Sequence, residues 1–233
     1  MKIRDFIFSL ITSTIIFSLS PQLSGIDLDL FKSSRYLNPI RLNSNPYALK
    51  HLPNLEQKAL QSKNLFCGVH FSSDQSSYKL RSFGHLDDLL AEDYQVTHKG
   101  ACGMCSSLQD LAVYLENPDL TRPVRRCATL SMFPKKCKNC LKKIGFSQGC
   151  ADIWFYNILN TRKHCFATCA KSWLMNEPFN LPNGSLNKCL QCDESESGDV
   201  FQMVAGRTRR RSGIKSAIMR PKQDIFPVNH EYH

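Results

Sequence analysis

Four short stretches of the chain carry residue types that do chemistry. His98-Lys99-Gly100-Ala101-Cys102-Gly103-Met104-Cys105 places a C-G-x-C pair just before an apolar helical stripe. Free N–H groups and the dipole at a helix start stabilise a thiolate, and His98 adds positive charge nearby, so Cys102, Cys105 and His98 are the candidate residues for thiol–disulfide exchange. Gly206-Arg207-Thr208-Arg209-Arg210-Arg211-Ser212-Gly213 sets four arginines beside two glycines. Guanidinium forks suit carboxylate, phosphate or sulfate, which makes Arg207, Arg209, Arg210 and Arg211 the candidate anion-binding set. The acidic run Asp193, Glu194, Glu196 and Asp199 is an alternative, intramolecular partner for them. Read as R-x-R-R, Arg207 to Arg210 also has the form of a basic processing site, whose cleavage would release a basic peptide. Cys102, Cys105, Cys189 and Cys192 are four thiols of the kind that tetrahedral zinc takes. Asn183-Gly184-Ser185 is a glycosylation sequon in a Pro/Asn-rich stretch.

The amino terminus decides among these readings. Lys2 and Arg4 precede an almost wholly apolar or small stretch from Phe6 to Leu19, followed by small polar residues to Gly25. That length fits the core of a secretory signal and is short for a membrane span, so residues 1–24 read as a signal peptide, with a signal anchor as the alternative. Its removal leaves a chain with no stable membrane span. The expected location is extracellular, or otherwise the lumen of the secretory pathway. Ten of the eleven cysteines fall between Cys102 and Cys192. In a secreted segment that density implies a disulfide framework of Cys102, Cys105, Cys127, Cys137, Cys140, Cys150, Cys165, Cys169, Cys189 and Cys192, leaving Cys67 as the odd thiol. No metal and no cofactor is expected.

The C-G-x-C pair is what a thioredoxin-like oxidoreductase uses, but that fold requires a buried strand of a βαβ unit before the motif, and Leu86 to Val96 supplies a charged helix and a stub of strand. The same segment resembles the cysteine motif of papain-like proteases. Ser106 stands where that motif has an aromatic residue, and too little chain follows Cys105 for the partner histidine. The cysteine rhythm resembles that of saposin-like domains, in which a C-x-x-C near the first helix is stapled to a late pair. That resemblance would join Cys102 and Cys105 to Cys189 and Cys192.

The elements that must position these groups are mostly helices. Residues 25–64 lack steady periodicity and read as a loosely ordered arm. Leu65, Cys67, Val69 and Phe71 alternate as in a strand, and Tyr78 to Phe83 returns as a second. Helical stripes follow at Leu86 to Tyr94, Leu108 to Leu115, and a helix capped by Thr121. Another begins at Pro134, and the longest runs from Ser147 to before Pro178. A short strand at Val200 to Val204 and a small helix from Ser212 to Arg220 complete residues 65–220 as a single globular domain. Residues 221–233 read as a tail, with His230 and His233 exposed. The fold class is mainly α, or α+β with minor strands, stapled by disulfides.

The net charge of +10 is segregated. Asp87 to Asp119 is acidic, whereas Thr121 to Lys143 holds eight basic residues and Arg207 to Lys222 seven, neither with an acid. Neutralisation between neighbouring helices, together with ordinary solvated faces, is the expected fate of much of the first basic block. Without aromatic interleaving or a recognition motif, nucleic acid is not an expected partner. The sequence therefore points to a secreted binding or structural module whose partner is an anionic glycan or acidic protein surface. A thiol–disulfide oxidoreductase is the enzymatic alternative, and a peptide precursor the third.

Overall fold

The computed structural model describes residues 25–49 and 61–232; the signal-peptide expectation for residues 1–24, and His233, lie outside them. The architecture is a mainly helical domain with a small sheet at one side, as the periodicity implies. Four strands, β1 (Arg35–Tyr36), β2 (Phe66–Phe71), β3 (Ser77–Phe83) and β4 (Gln95–Lys99), form a sheet of order β1-β3-β2-β4. β2 and β3 make an antiparallel hairpin, and β2 pairs with β4 through an irregularity at Cys67/Gly68. Cys67, Val69, Tyr78 and Leu80 are buried, so one face of the hairpin meets the helices.

The helices are α1 (Leu28–Ser33), α2 (Leu86–Ala91), α3 (Leu108–Glu116), α4 (Thr121–Ala128), α5 (Pro134–Lys143), α6 (Gln148–Leu174) and α7 (Lys188–Ala205). Their starts obey local chemistry. Ser107 and Ser147 cap α3 and α6 by accepting from Asp110 N and Cys150 N, and Pro134 occupies the first turn of α5. At α4 the expected cap, Thr121, is inside the helix. Asp119 does the capping, its Oδ1 accepting from Thr121 N at 2.9 Å and Arg122 N at 3.3 Å. Leu108, Leu111 and Ala112 of α3 are fully buried beside Leu141 of α5 and Ile153 of α6, and this is the centre of the core.

Several expectations are corrected. Residues 200–204 belong to the end of α7 rather than to a strand. In place of a helix from Ser212 to Arg220 there is one 3-10 turn, Arg210–Ser212, and an irregular crossing segment. The amino-terminal arm is not loose where it is described: Asp27 caps α1 and Phe31 is 1% exposed in the core. Nor is the carboxyl terminus a free tail. Tyr232 packs on Phe31 with ring centroids 5.4 Å apart, and His230 is buried.

Five disulfides join these elements: Cys67–Cys102, Cys105–Cys150, Cys127–Cys140, Cys165–Cys192 and Cys169–Cys189. Each closes a loop of 13 to 45 residues, worth about 3–4 kcal/mol by restricting the unfolded chain. The framework is as expected except at two positions. Cys67 is bonded because β2 delivers it to the loop after β4, and the free thiol is Cys137, buried on the inner face of α5. The pairing implied by the saposin-like rhythm is absent. Cys189 and Cys192 are taken by Cys169 and Cys165 one helix away.

Candidate functional site

The C-G-x-C segment holds no dithiol, since Cys102 and Cys105 are each bonded to a distant cysteine. Its N–H groups do not face a thiolate either. Met104 N and Cys105 N donate to Val204 O and Ala205 O at 2.9 and 2.8 Å, closing the carboxyl end of α7. Gly103 and Gly206 permit that approach: a Cβ on Gly103 would lie 2.4 Å from Val204 O, and one on Gly206 2.6 Å from Ala101 O. The glycine between the cysteines thus serves close backbone packing.

His98 is fully buried and held neutral, its pKa pushed well below the usual value by burial and then by the Arg207 charge. Its Nε2 lies 2.7 Å from Ser106 Oγ, and its Nδ1 3.1 Å from Lys99 O. The neutral tautomer with the proton on Nδ1 satisfies both, the serine hydroxyl donating to Nε2. A serine–histidine bond is half of a nucleophile–base pair, but Ser106 is as buried as His98 and its oxygen already accepts from Gly103 N at 2.7 Å. The pair is a brace.

The arginine run divides. Arg207 is fully buried; its guanidinium donates to Thr97 O, Cys105 O and Ser106 O at 2.9, 3.2 and 3.0 Å, and to the Thr97 hydroxyl. Arg209 donates to the Tyr114, Asn117 and Lys215 carbonyls, closing the end of α3. Arg211 is buried against Gly100 and donates to Gln202. These three are spent on carbonyl and amide oxygens, not on the acidic run and not on an external anion. Within the R-x-R-R sequence Arg207 is buried, Thr208 and Arg209 are half-buried, and Arg210 begins a 3-10 turn. Only Arg210 keeps a guanidinium free of hydrogen bonds; its side chain is 33% exposed, with one approach of 3.7 Å to Glu194.

Arg210 stands at a cleft of about 700 Å3 that the sequence did not announce. α6 and α7 form one wall, and the crossing segment 208–220 the other. The aromatic part of the lining comes from Tyr114, Trp154 and Phe201, with Trp154 and Phe201 in edge-to-face contact at 4.8 Å, and Leu120, Ile214, Ile218 and Met219 add aliphatic surface. The Tyr114 hydroxyl and Trp154 Nε1 approach one another without reaching hydrogen-bond geometry, so both are unpartnered among the described residues. Asp193 lies deep in the same wall. Burial raises its pKa, against donation from the Thr161 hydroxyl and from Asn157 Nδ2 at 3.4 Å. Tyr47 fixes Asn157 from behind, its hydroxyl donating to Asn157 Oδ1 at 2.6 Å. Glu194 is gripped by both Nη atoms of Arg220.

The Cys102, Cys105, Cys189 and Cys192 thiols proposed for zinc sit in four different disulfides, and no cluster of three or more metal-ligating side chains occurs among the described residues. Asn183 is exposed, and its Oδ1 accepts from Ser185 N and Oγ at 3.1 and 2.7 Å. No described helix is long and apolar enough to cross a membrane.

Residues 134–228 match a family described as a family of unknown function (DUF8771). The match spans α5, α6, α7 and the crossing segment, and so includes most of the cleft but none of the sheet. No curated protein and no solved structure matches the chain.

Proposed function

We propose that the protein is a secreted binding module whose cleft receives a small amphipathic anion. One observation carries this reading: a concave site of about 700 Å3 combines an aromatic wall with the guanidinium of Arg210, held only by one long ion pair of 3.7 Å to Glu194. Ligand pockets commonly enclose about 300–1,000 Å3 and pair an apolar lining with a few convergent polar groups. An aromatic or aliphatic body would cover Trp154 and Phe201. A carboxylate or sulfonate would bond to Arg210. The five disulfides and the exposed sequon favour an extracellular setting, with removal of the leader near Ser24 and a glycan on Asn183; the intact mass of the secreted protein reads both.

Anilinonaphthalene sulfonate has the required shape and charge. In a Trp173→Phe protein Trp154 is the sole tryptophan, and its emission should transfer saturably to the bound dye. Arg210→Ala should weaken binding several-fold. Gly198→Leu should abolish it, because Gly198 lines the cleft and a Cβ there meets nothing closer than 3.9 Å. Undiminished transfer in a folded Gly198→Leu protein would refute the assignment.

A further inference from the structure

Within the first basic block, from Thr121 to Lys143, neutralisation by neighbouring helices reaches only a minority of the bases. Only two of its eight bases have carboxylate partners among the described residues: Arg122 with Asp119 at 3.2 Å, and Lys138 with Asp152 at 2.8 Å. Lys135, Lys136, Lys142 and Lys143 are exposed, with no carboxylate partner among the described residues. Their spacing over α5 puts all four, with exposed Asn139, on one face, opposite buried Cys137 and Leu141. At the amino end of that face the α4–α5 turn exposes Met132 at 69% and Phe133 at 57%, with Lys136 Nζ 4.9 Å from the centre of the Phe133 ring.

A second exposed apolar stripe lies beside this turn. Arg162 of α6 donates to Ser131 Oγ at 2.8 Å, which sets the turn against α6 one helical turn before Phe166. Phe166 and Trp173 are 65% and 60% exposed and share a helical face with Arg162, and Leu174 and Met175 are also exposed at the helix end. Exposed Lys163 lies at its edge. Large exposed apolar side chains beside a face of exposed lysines are not what a solvated surface contains. Independently of the cleft, we infer that this face, the Met132–Phe133 turn with the Phe166–Trp173 stripe and the lysine face of α5, docks onto an anionic lipid surface.

Charge and shape together select that partner. The lysines answer anionic headgroups and bury their stems while keeping their charges wet. Met132, Phe133, Phe166 and Trp173 need an apolar phase to enter, which a lipid interface offers and a sulfated glycan does not. Tryptophan favours that boundary because its ring is apolar and its N–H polar. Attachment of this kind is interfacial and needs no spanning helix.

The test uses the full chain as secreted, mixed with vesicles of phosphatidylcholine alone or with phosphatidylserine added. Every variant carries the same amino terminus, so differences between them report on the patch. The expected result is sedimentation with the anionic vesicles only, weakened by salt, and quenching of tryptophan emission by brominated lipid. Met132→Ser with Phe133→Ser should lower vesicle affinity by at least about tenfold, since both side chains lose an apolar environment. Replacing Lys135, Lys136, Lys142 and Lys143 by Gln should lower it by about a hundredfold or more, at about fivefold per base. Both sets change exposed residues, and an unchanged melting curve establishes that each variant is folded. Equal binding to both vesicle types, or to neither, overturns the inference. So does heparin binding without vesicle binding, which would make the patch a glycan site. Concentration-dependent self-association that disappears in Met132→Ser/Phe133→Ser also overturns it, by assigning the apolar turn to a second copy.

Discussion

Arg207 and Arg210 stand three residues apart in a run whose members look alike, and the structure gives them opposite duties. Replacing Arg207 by Ala removes the donor to three main-chain carbonyls and two hydroxyls at a fully buried site. A buried acceptor stripped of its partner costs about 1–3 kcal/mol. Part of that loss is returned, because burial of a guanidinium is itself unfavourable; no carboxylate touches Arg207, and its pKa is lowered by desolvation. A net destabilisation of about 4 kcal/mol remains, equivalent to about 10 °C in Tm for a domain of this size. Arg210→Ala removes one long, partly exposed ion contact and should cost less than about 1 kcal/mol. Thermal melts of the oxidised proteins, followed by circular dichroism, measure both. If Arg207→Ala melts within about 2 °C of wild type, or if Arg210→Ala is the more damaging change, the division between buried tie and surface cation is wrong. Arg207→Met separates the contributions further. It restores volume but not donors, so it should recover only part of the loss.

Two other outcomes are expected. Native oxidised protein should contain one thiol, Cys137, that reacts with iodoacetamide only after unfolding, and Cys137→Ala should leave the five disulfides unchanged; rapid labelling of the folded protein would contradict its burial. His230 is held neutral by burial, its pKa lowered to about 4, so the unfolded chain binds the extra proton first and stability from this group is lost as pH falls from about 6.5 toward 4. Asp110 opposes it: burial raises that carboxyl to about 6, so its contribution falls as pH rises from about 4 to 6. The acid loss should therefore be clearer in Asp110→Asn, and a His230 imidazole titrating near 6.5 by NMR would show the burial argument to be wrong.

Local patterns made the helices legible. Pro134, the Ser147 cap and the alternation from Leu65 to Phe71 are each decided by neighbours in sequence, and each element formed where those residues place it. What failed was non-local. Val200 to Val204 reads as a short apolar strand only if the acidic run before it is taken for a loop. In the structure Cys189, Cys192, Ser197 and Val200 turn that whole segment into one helix against α6. Cys67 is separated from the dense region by sequence and joined to it by a sheet. Arg207 looks like a solvated cation until Gly206, at φ +74°, turns the chain back toward β4. No local signal marks that return. The cleft was hidden for the same reason, because Trp154, Phe201, Asp193 and Arg210 meet only through helix pairing and the path of the crossing segment. His230 and Tyr232 end the chain without periodicity, and what buries them is the distant Phe31, Ser212 and Val96.

The paired bonds between α6 and α7 make a ring of the chain between them. Cys169–Cys189 encloses residues 170–188, including the turn with the sequon, and Cys165–Cys192 lies one step further along both helices. A peptide bond cut anywhere in the Asn176 to Ser185 stretch would therefore release no fragment and let neither helix slide past the other. New segments could be spliced there on the same terms. The exposed tip, Pro182 to Gly184, is the place where this chain can be broken, lengthened or decorated, provided that Asn180 keeps its two hydrogen bonds to Met219 of the cleft wall.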